Sequence, residues 1–269
     1  MDHMEQSRFE KATDKSLPAD CVGSVVHAFT VLHAFDLDHR EMTLSEVAER
    51  IDMTRAGARR YLLTLIFLGY VAQDGRLFRL TPKVLDLGFS YLSTLSVVDI
   101  AQPYLNRIAR DTHETTAIAV LDNREVVHLA RARVQRELAP VVTIGRRFSA
   151  LYNSTGRVLI ASMSDTAMVS FVEDADLAGP TPHSITSKAA LLAALQAIRK
   201  QGFAIVDQES ELGLRSIAVP IFDRRGNAVA ALNVITSVAS VPVEDLQGRI
   251  LPILRTAADE ISSALIVDG

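Results

Sequence analysis

Residues 44–69, LSEVAERIDMTRAGARRYLLTLIFLG, constrain the fold of this chain more than any other stretch, because two apolar stripes of helical period sit almost back to back. Val47, Ala48 and Ile51 share one face of a short helix, and Ala58, Tyr61, Leu62, Leu65 and Leu68 share one face of a second. Thr54 precedes the second stripe and has the side-chain oxygen to cap it. With only Asp52, Met53 and Thr54 between them, the two helices must cross steeply to bury their stripes together, which is the geometry of a helix-turn-helix. Ala48 is small where the second helix passes closest.

The polar face of the second helix carries the chemistry. Arg55 and Arg59 stand one turn apart, Arg60 flanks them, and Ala56 and Gly57 keep the start of the helix narrow enough to approach a groove. The forked guanidinium matches guanine O6 and N7, or a phosphate. Gly57 costs about 1 kcal/mol relative to alanine inside a helix, so close approach to another surface is the expected reason for it. Ser45, at the start of the first helix, and Thr54 complete the candidate set here. A solvated face on an ordinary helical hairpin would not require stripes, short turn and arginines to coincide. Residues 69–80 then form two short β runs around Asp74-Gly75, the signal of a hairpin. A hairpin directly after such a helix is a wing, and it would lay Arg76 and Arg79 along a sugar-phosphate backbone. Between residues 54 and 83 six basic residues face one acid, a local balance of +5 in a chain of net charge −4. Basic character is concentrated where double-stranded DNA would lie.

At this point the chain resembles a known family. Residues 22–87, with LSEVAER, LLTLIFLGYV and LTPKVLDLG, resemble the N-terminal winged helix of IclR-type transcriptional regulators. TRAGARRYLLTL most resembles the subgroup that controls bacterial breakdown of protocatechuate, 4-hydroxybenzoate and β-ketoadipate. A second block, QGFAIVDQESELGLRSIAVP with AALNVI, extends the resemblance over nearly the whole chain. It implies a linker helix that packs against a second subunit and a GAF-like effector-binding domain.

With 269 residues and 48% hydrophobic content, the chain suits one large or two ordinary domains with packed cores. Its single cysteine, Cys21, forbids an intrachain disulfide or a multi-cysteine metal site, and fits a reducing compartment. The polar start lacks the apolar core of a signal sequence, and no apolar run approaches the ~18 residues of a membrane span. The expectation is a cytoplasmic protein without cofactor, metal or membrane partner. Four segments are expected: a mobile arm (1–19), a winged helix-turn-helix (20–81), a linker helix (82–97) and an effector-binding domain (98–269).

Taken in order, residues 23–35 predict a core helix through Val25, Phe29, Leu32 and Phe35, with His27 and His33 at its boundary rather than on a metal. Residues 36–42 read as a charged loop. Residues 82–95 and 99–111 predict helices. From Glu114 the period changes to that of strands, expected at 115–121, 125–132 and 141–144, with a turn at Asp122-Asn123. Helices follow over 150–163 and 187–201, the second stopped by Gly202. Strands are expected at 203–206, 217–222 and 228–235, and a last helix opens at Pro242 with Leu246, Ile250, Leu254, Ala257, Ile261 and Leu265 inward. Strands linked partly by hairpins and interleaved with few helices imply an α+β domain with an antiparallel sheet.

Matched position by position, the resemblance points to Ser154, Thr155, Gly156, Val206, Asp207, Ser216, Asn233 and Ile235 around an effector. Free N–H groups at the start of the Asn153 helix and the hydroxyls of Ser154 and Thr155 suit a carboxylate. Arg131 and Arg133 alternate with Ala132, so both would face one side of their strand, with one of them in reach of the same anion, while Asn233 suits a ring hydroxyl. Without the family, Asp207, Glu209, Glu211 and Arg215 read as a solvated loop with internal ion pairs. The ligand is expected to be a small organic acid, aromatic or of β-ketoadipate type.

No sequence signature of a hydrolase nucleophile, zinc protease, P-loop or dinucleotide site is present. His113-Glu114 lacks a second histidine, and His128, within a strand run, is expected to face a polar neighbour rather than a substrate. The chain therefore reads as a homodimeric or tetrameric regulator, not an enzyme, bound to a pseudo-palindromic operator. The competing reading is a metabolite-binding or hydrolytic enzyme whose winged helix serves protein contacts, and steep salt dependence of duplex binding separates the two.

Overall fold

Two threonines set the first helical pair. Thr43 accepts from the Glu46 amide while the Glu46 carboxylate accepts from the Thr43 amide, a capping box that opens a helix at Leu44–Arg50. Thr54 accepts from the Gly57 amide and opens Arg55–Phe67. In this computed structural model, which describes residues 18, 20–87, 96–133 and 143–267, the chain forms two compact units, residues 1–91 and 92–269.

The N-terminal unit contains α1 (Gly23–His33), β1 (Glu41–Thr43), α2 (Leu44–Arg50), α3 (Arg55–Phe67), β2 (Val71–Asp74) and β3 (Leu77–Leu80). The sheet order is β1-β3-β2, so the hairpin expected as the wing carries a third strand from a stretch read in the sequence as loop. Met42 is buried there opposite Phe78, and three residues are too few for alternation to declare a strand. Val31, Leu32, Val47, Ala48, Ala58, Leu62 and Leu65 form the core. Val25 and Phe29, expected inside, are about half exposed, and Leu68 is also outside. Helical spacing marks an apolar face without specifying which part of it a neighbour covers. The linker helix expected over 82–97 begins as a 3₁₀ turn at Pro82–Val84; residues 88–95 lie outside the described residues, as does the expected arm apart from Pro18.

The C-terminal unit is α+β. Its six strands are β4 (Thr115–Asp122), β5 (Glu125–Ala132), β6 (Arg147–Ser149), β7 (Ala204–Asp207), β8 (Leu214–Phe222) and β9 (Ala228–Ser237). They form one antiparallel sheet in the order β6-β5-β4-β9-β8-β7. Asn123, at φ 55°, makes the tight β4–β5 turn. One face packs on α4 (Ser96–Thr112) and the last helix, α8 (Leu251–Val267), which follows a π-helical turn at Leu246–Ile250. The other face packs on α5 (Ser154–Ala161), α6 (Asp165–Glu173) and α7 (Lys188–Gln201). The strand expected at 141–144 is displaced: residues 141 and 142 lie outside the described residues, Thr143 and Ile144 are not in a strand, and pairing with β5 begins at Arg147. Among the described residues no helix is long and apolar enough to cross a membrane.

Candidate functional site

On α3 the buried residues Ala58, Leu62 and Leu65 leave Arg55, Ala56, Arg59 and Arg60 on the outer surface. Arg55, Arg59, Arg60 and Arg76 make no ion pair among the described residues. Ser45, Arg59, Leu63, Gln73 and Arg76 line a cleft of about 370 Å³ between α3 and the wing, with Thr43 and Phe78 behind them. The fold thus brings Ser45, Arg59 and Arg76 to one recess and leaves Arg55 and Arg60 outside it. Arg79 departs from expectation, because β1 sets Glu41 across from it and their side chains approach to 3.9 Å. Gly57 also has a closer reason than a groove. A Cβ there would stand 3.0 Å from Met53 Cγ and Sδ and 3.2 Å from the capping Thr54 hydroxyl. Leu63 and Gln73 carry no signal in the sequence; the cleft exists only once the wing lies beside α3.

The second site is marked by buried polar atoms that lack partners. In an antiparallel ladder, paired residues share a face and alternate residues return to it. Arg131 pairs with Ala117, Ala117 with Asn233, and Thr115 with Ile235, which in turn pairs with Ser216 and that with Val206. All of these lie on the face covered by α5, where Ala119, Ala218 and Ala204 are packed. On this face Thr115 Oγ1, Arg131 Nη1 and both amide atoms of Asn233 are buried without a hydrogen-bond partner among the described residues, as is Ser154 Oγ at the start of α5. Buried polar atoms are normally paired, and such a cluster fits a polar small molecule.

Four expected effector residues have other surroundings or other roles. Asp207 alternates with Val206 and points to the opposite face, where it pairs with Arg215 at 2.8 Å; Arg215 also donates to the Val241 carbonyl. Arg133 lies one residue beyond the end of β5 and is exposed, so it does not share the enclosed position of Arg131. Thr155 spends its amide and hydroxyl on Asn153 Oδ1, at 3.1 and 2.7 Å, which caps α5. Gly156 sits so close to the chain that a Cβ would lie 2.2 Å from the Ala150 carbonyl oxygen. It thereby allows α5 to start against the turn Ala150–Tyr152.

Glu209, read in the sequence as part of a solvated loop, is instead buried. It receives Arg157 through two bonds of 2.6 and 2.5 Å, and the Ile185 amide at 3.0 Å. Arg157 also donates to the Leu151 carbonyl at 2.7 Å. Tyr152 stands near this pair, and burial followed by the charge of Asp176 pushes its phenol up. His128, expected to meet a polar neighbour, has both ring nitrogens buried without one among the described residues, and Phe148 meets the ring edge-on at 5.3 Å. Burial, and then the charge of Arg146, lower its pKa to about 4. No group of three or more His, Cys, Asp or Glu among the described residues is arranged to hold a metal ion.

Comparison with known proteins accords with this division. Residues 24–75 match the IclR helix-turn-helix domain and residues 89–263 match the bacterial transcriptional regulator IclR C-terminal domain. The Pca regulon regulatory protein of Pseudomonas putida is 41% identical over 247 residues, 91% of this chain and 85% of that protein. The p-hydroxybenzoate hydroxylase transcriptional activator of Acinetobacter baylyi is 35% identical, over 90% of this chain and 91% of that protein. A double mutant of the PobR inducer-binding domain from Acinetobacter, solved with 3-hydroxybenzoic acid, superimposes with a TM-score of 0.58 at 32% identity, covering 61% of this chain and 97% of that one. These relatives are transcription factors, and the enzyme reading finds no support among them. With both of its units matched, the chain belongs to the IclR family of bacterial transcriptional regulators.

Proposed function

We propose that this regulator binds a pseudo-palindromic operator as a cytoplasmic homodimer or dimer of dimers, and that a small organic acid in the C-terminal unit controls it. Residues 20–81 would read DNA, with α3 in the major groove. The linker segment expected over 82–97 would pass the ligand's effect to it, with a coupling of about 1–3 kcal/mol. Arg59 and Arg76 face duplex from either side of the cleft, Arg55 and Arg60 extend the basic surface, and Ser45, Thr54, Ala56 and Gly57 shape its approach. On the sensing side Arg131, Ser154, Ser216, Asn233, Val206 and Ile235 would line the ligand. The relatives' hydroxybenzoate names favour an aromatic acid. One observation carries the reading: an arginine, an asparagine and a serine with buried polar atoms that lack partners among the described residues share a chain with an exposed basic helix.

Anisotropy titration of an operator duplex tests the DNA half. Arg59→Ala is expected to weaken binding by about 1–3 kcal/mol, roughly 5- to 150-fold, if the contact is a bidentate base contact. Wild-type affinity should also fall steeply as salt rises. Unchanged affinity and selectivity in Arg59→Ala would remove α3 as the reading helix. A thermal-shift panel of aromatic and dicarboxylic acids tests the sensing half, and stabilisation by none of them would remove the acid-sensing reading.

A further inference from the structure

His128 and Arg131 are three residues apart on β5, a spacing that in a regular strand puts side chains on opposite faces. The ladder shows otherwise. Ala119 pairs with His128 while its neighbour Ile118 pairs with Ala130, so Leu129 is an extra residue, a β-bulge. Ala117 pairs with Arg131, and Ala117 and Ala119 lie on one face; the bulge therefore brings His128 and Arg131 to the same side. That side also holds Asn233, two strands from Arg131, or roughly 10 Å across the sheet. The floor between these groups consists of alanines 117, 119 and 231, and the ring of Phe148 closes against His128. These floor residues are small and buried, and polar groups sit around them.

The charges of this cluster are asymmetric. Among the described residues Arg131 is the one cation with an unpartnered buried atom on this face, Thr115, Ser154 and Asn233 are neutral, and the charge of the exposed Arg146 reaches His128. Burying one carboxylate beside Arg131 is compensated, whereas a second carboxylate at the His128 end would have only the exposed, solvent-screened Arg146 as its cation. His128 has two unpartnered ring nitrogens and a lowered pKa, which leaves a neutral imidazole able to donate from one nitrogen and accept at the other.

We propose that His128, turned onto the ligand face by the bulge at Leu129, hydrogen-bonds the ring hydroxyl of a singly charged aromatic acid whose carboxylate pairs with Arg131. The inference rests on the acid-sensing function proposed above and adds to it the ligand's class and the residue that selects it. His128 is a specificity-determining residue, and the site rejects dicarboxylates of similar length.

Calorimetric titration of the full-length wild-type protein with 3- and 4-hydroxybenzoate, 4-methylbenzoate, benzoate and adipate is the first test. The better hydroxybenzoate should bind at least about tenfold more tightly than benzoate or 4-methylbenzoate, because a site built for a hydroxyl leaves its polar groups unpaired around the analogue. Adipate should bind most weakly. His128→Leu should bring hydroxybenzoate down to the level of benzoate without changing benzoate, and His128→Gln should restore part of the preference. If wild type binds 4-methylbenzoate or adipate as tightly as hydroxybenzoate, the inference is overturned while acid sensing stands; this result needs no variant to fold. An undiminished hydroxyl preference in His128→Leu likewise overturns the role of His128 alone. If none of these acids binds wild type, the acid-sensing reading and this inference fail together.

Discussion

In the N-terminal unit Arg55, Arg59, Arg60 and Arg76 stand in solvent, whereas in the C-terminal unit Arg131, Asn233, His128 and Ser154 keep polar atoms enclosed and unpartnered. The size of the two ligands proposed above would account for the difference. A duplex is too large to enter a domain and is met on a surface, where free cations cost little because water solvates them. A small acid is surrounded, and the groups that hold it must leave water before it arrives. The same C-terminal unit supplies its own control, since Arg157 and Glu209 are buried like Asn233, Ser154 and His128 but fully paired. Buried polarity in this unit thus has two forms, one closed on itself and one open to a partner.

The largest expected effect separates these two forms. Glu209→Ala strands the Arg157 guanidinium and should cost about 3–5 kcal/mol, read as a lowered Tm of the C-terminal transition in calorimetry. Asn233→Leu removes two unpartnered amide atoms and should change stability by less than about 1 kcal/mol while weakening acid binding. Equal destabilisation by both substitutions would break the distinction between paired and unpaired buried groups.

Next in size is a pH effect confined to the enclosed histidine. Above the ordinary value of 6.5, His128 is neutral in both folded and unfolded chains, so it contributes no pH dependence. Below 6.5 the unfolded chain takes up a proton that the folded one refuses until about pH 4. Stability therefore falls as pH drops through that window, by on the order of 3 kcal/mol. Melting wild type and His128→Leu between about pH 8 and about pH 4 checks this, since the variant should lack that share of the decline. Parallel curves would show that the imidazole is not held neutral by its surroundings.

The smallest effect lies within the basic surface. Arg79 already faces Glu41 in an exposed pair, so Arg79→Ala should alter operator affinity by no more than about 0.5 kcal/mol, well below the loss expected from Arg59→Ala. An anisotropy titration in which the two losses were equal would place Arg79 on the duplex and remove the shielding attributed to Glu41.

Much of the DNA-reading unit is legible in the sequence because its signals are local. Thr54 caps the helix that follows it, and Ala58, Leu62 and Leu65 lie where helical spacing puts them. The three-residue strand β1 and the helix at Asp165–Glu173 are not part of that reading; the first is too short for a period, and the second falls unmarked between the helix over 150–163 and the one over 187–201. In the sensing unit the strands are largely readable, but the facing of their side chains is not. Resemblance groups Asp207 with the ligand and alternation groups Arg133 with it; the β7 register turns the first away, and the end of β5 excludes the second.

Sequence alone determined the two-part α+β organisation, the basic helix after a tight turn and the family, because periodicity, caps and motifs are written along neighbouring residues. Tertiary structure decided that Glu209 closes on Arg157, that Asp207 turns from the face that holds Asn233, and that one extra residue at Leu129 sets His128 beside Arg131. The first is a contact between residues 52 apart in sequence, and the other two depend on the register of the β7–β8 and β4–β5 ladders, where a shift of one residue exchanges the two faces of a sheet.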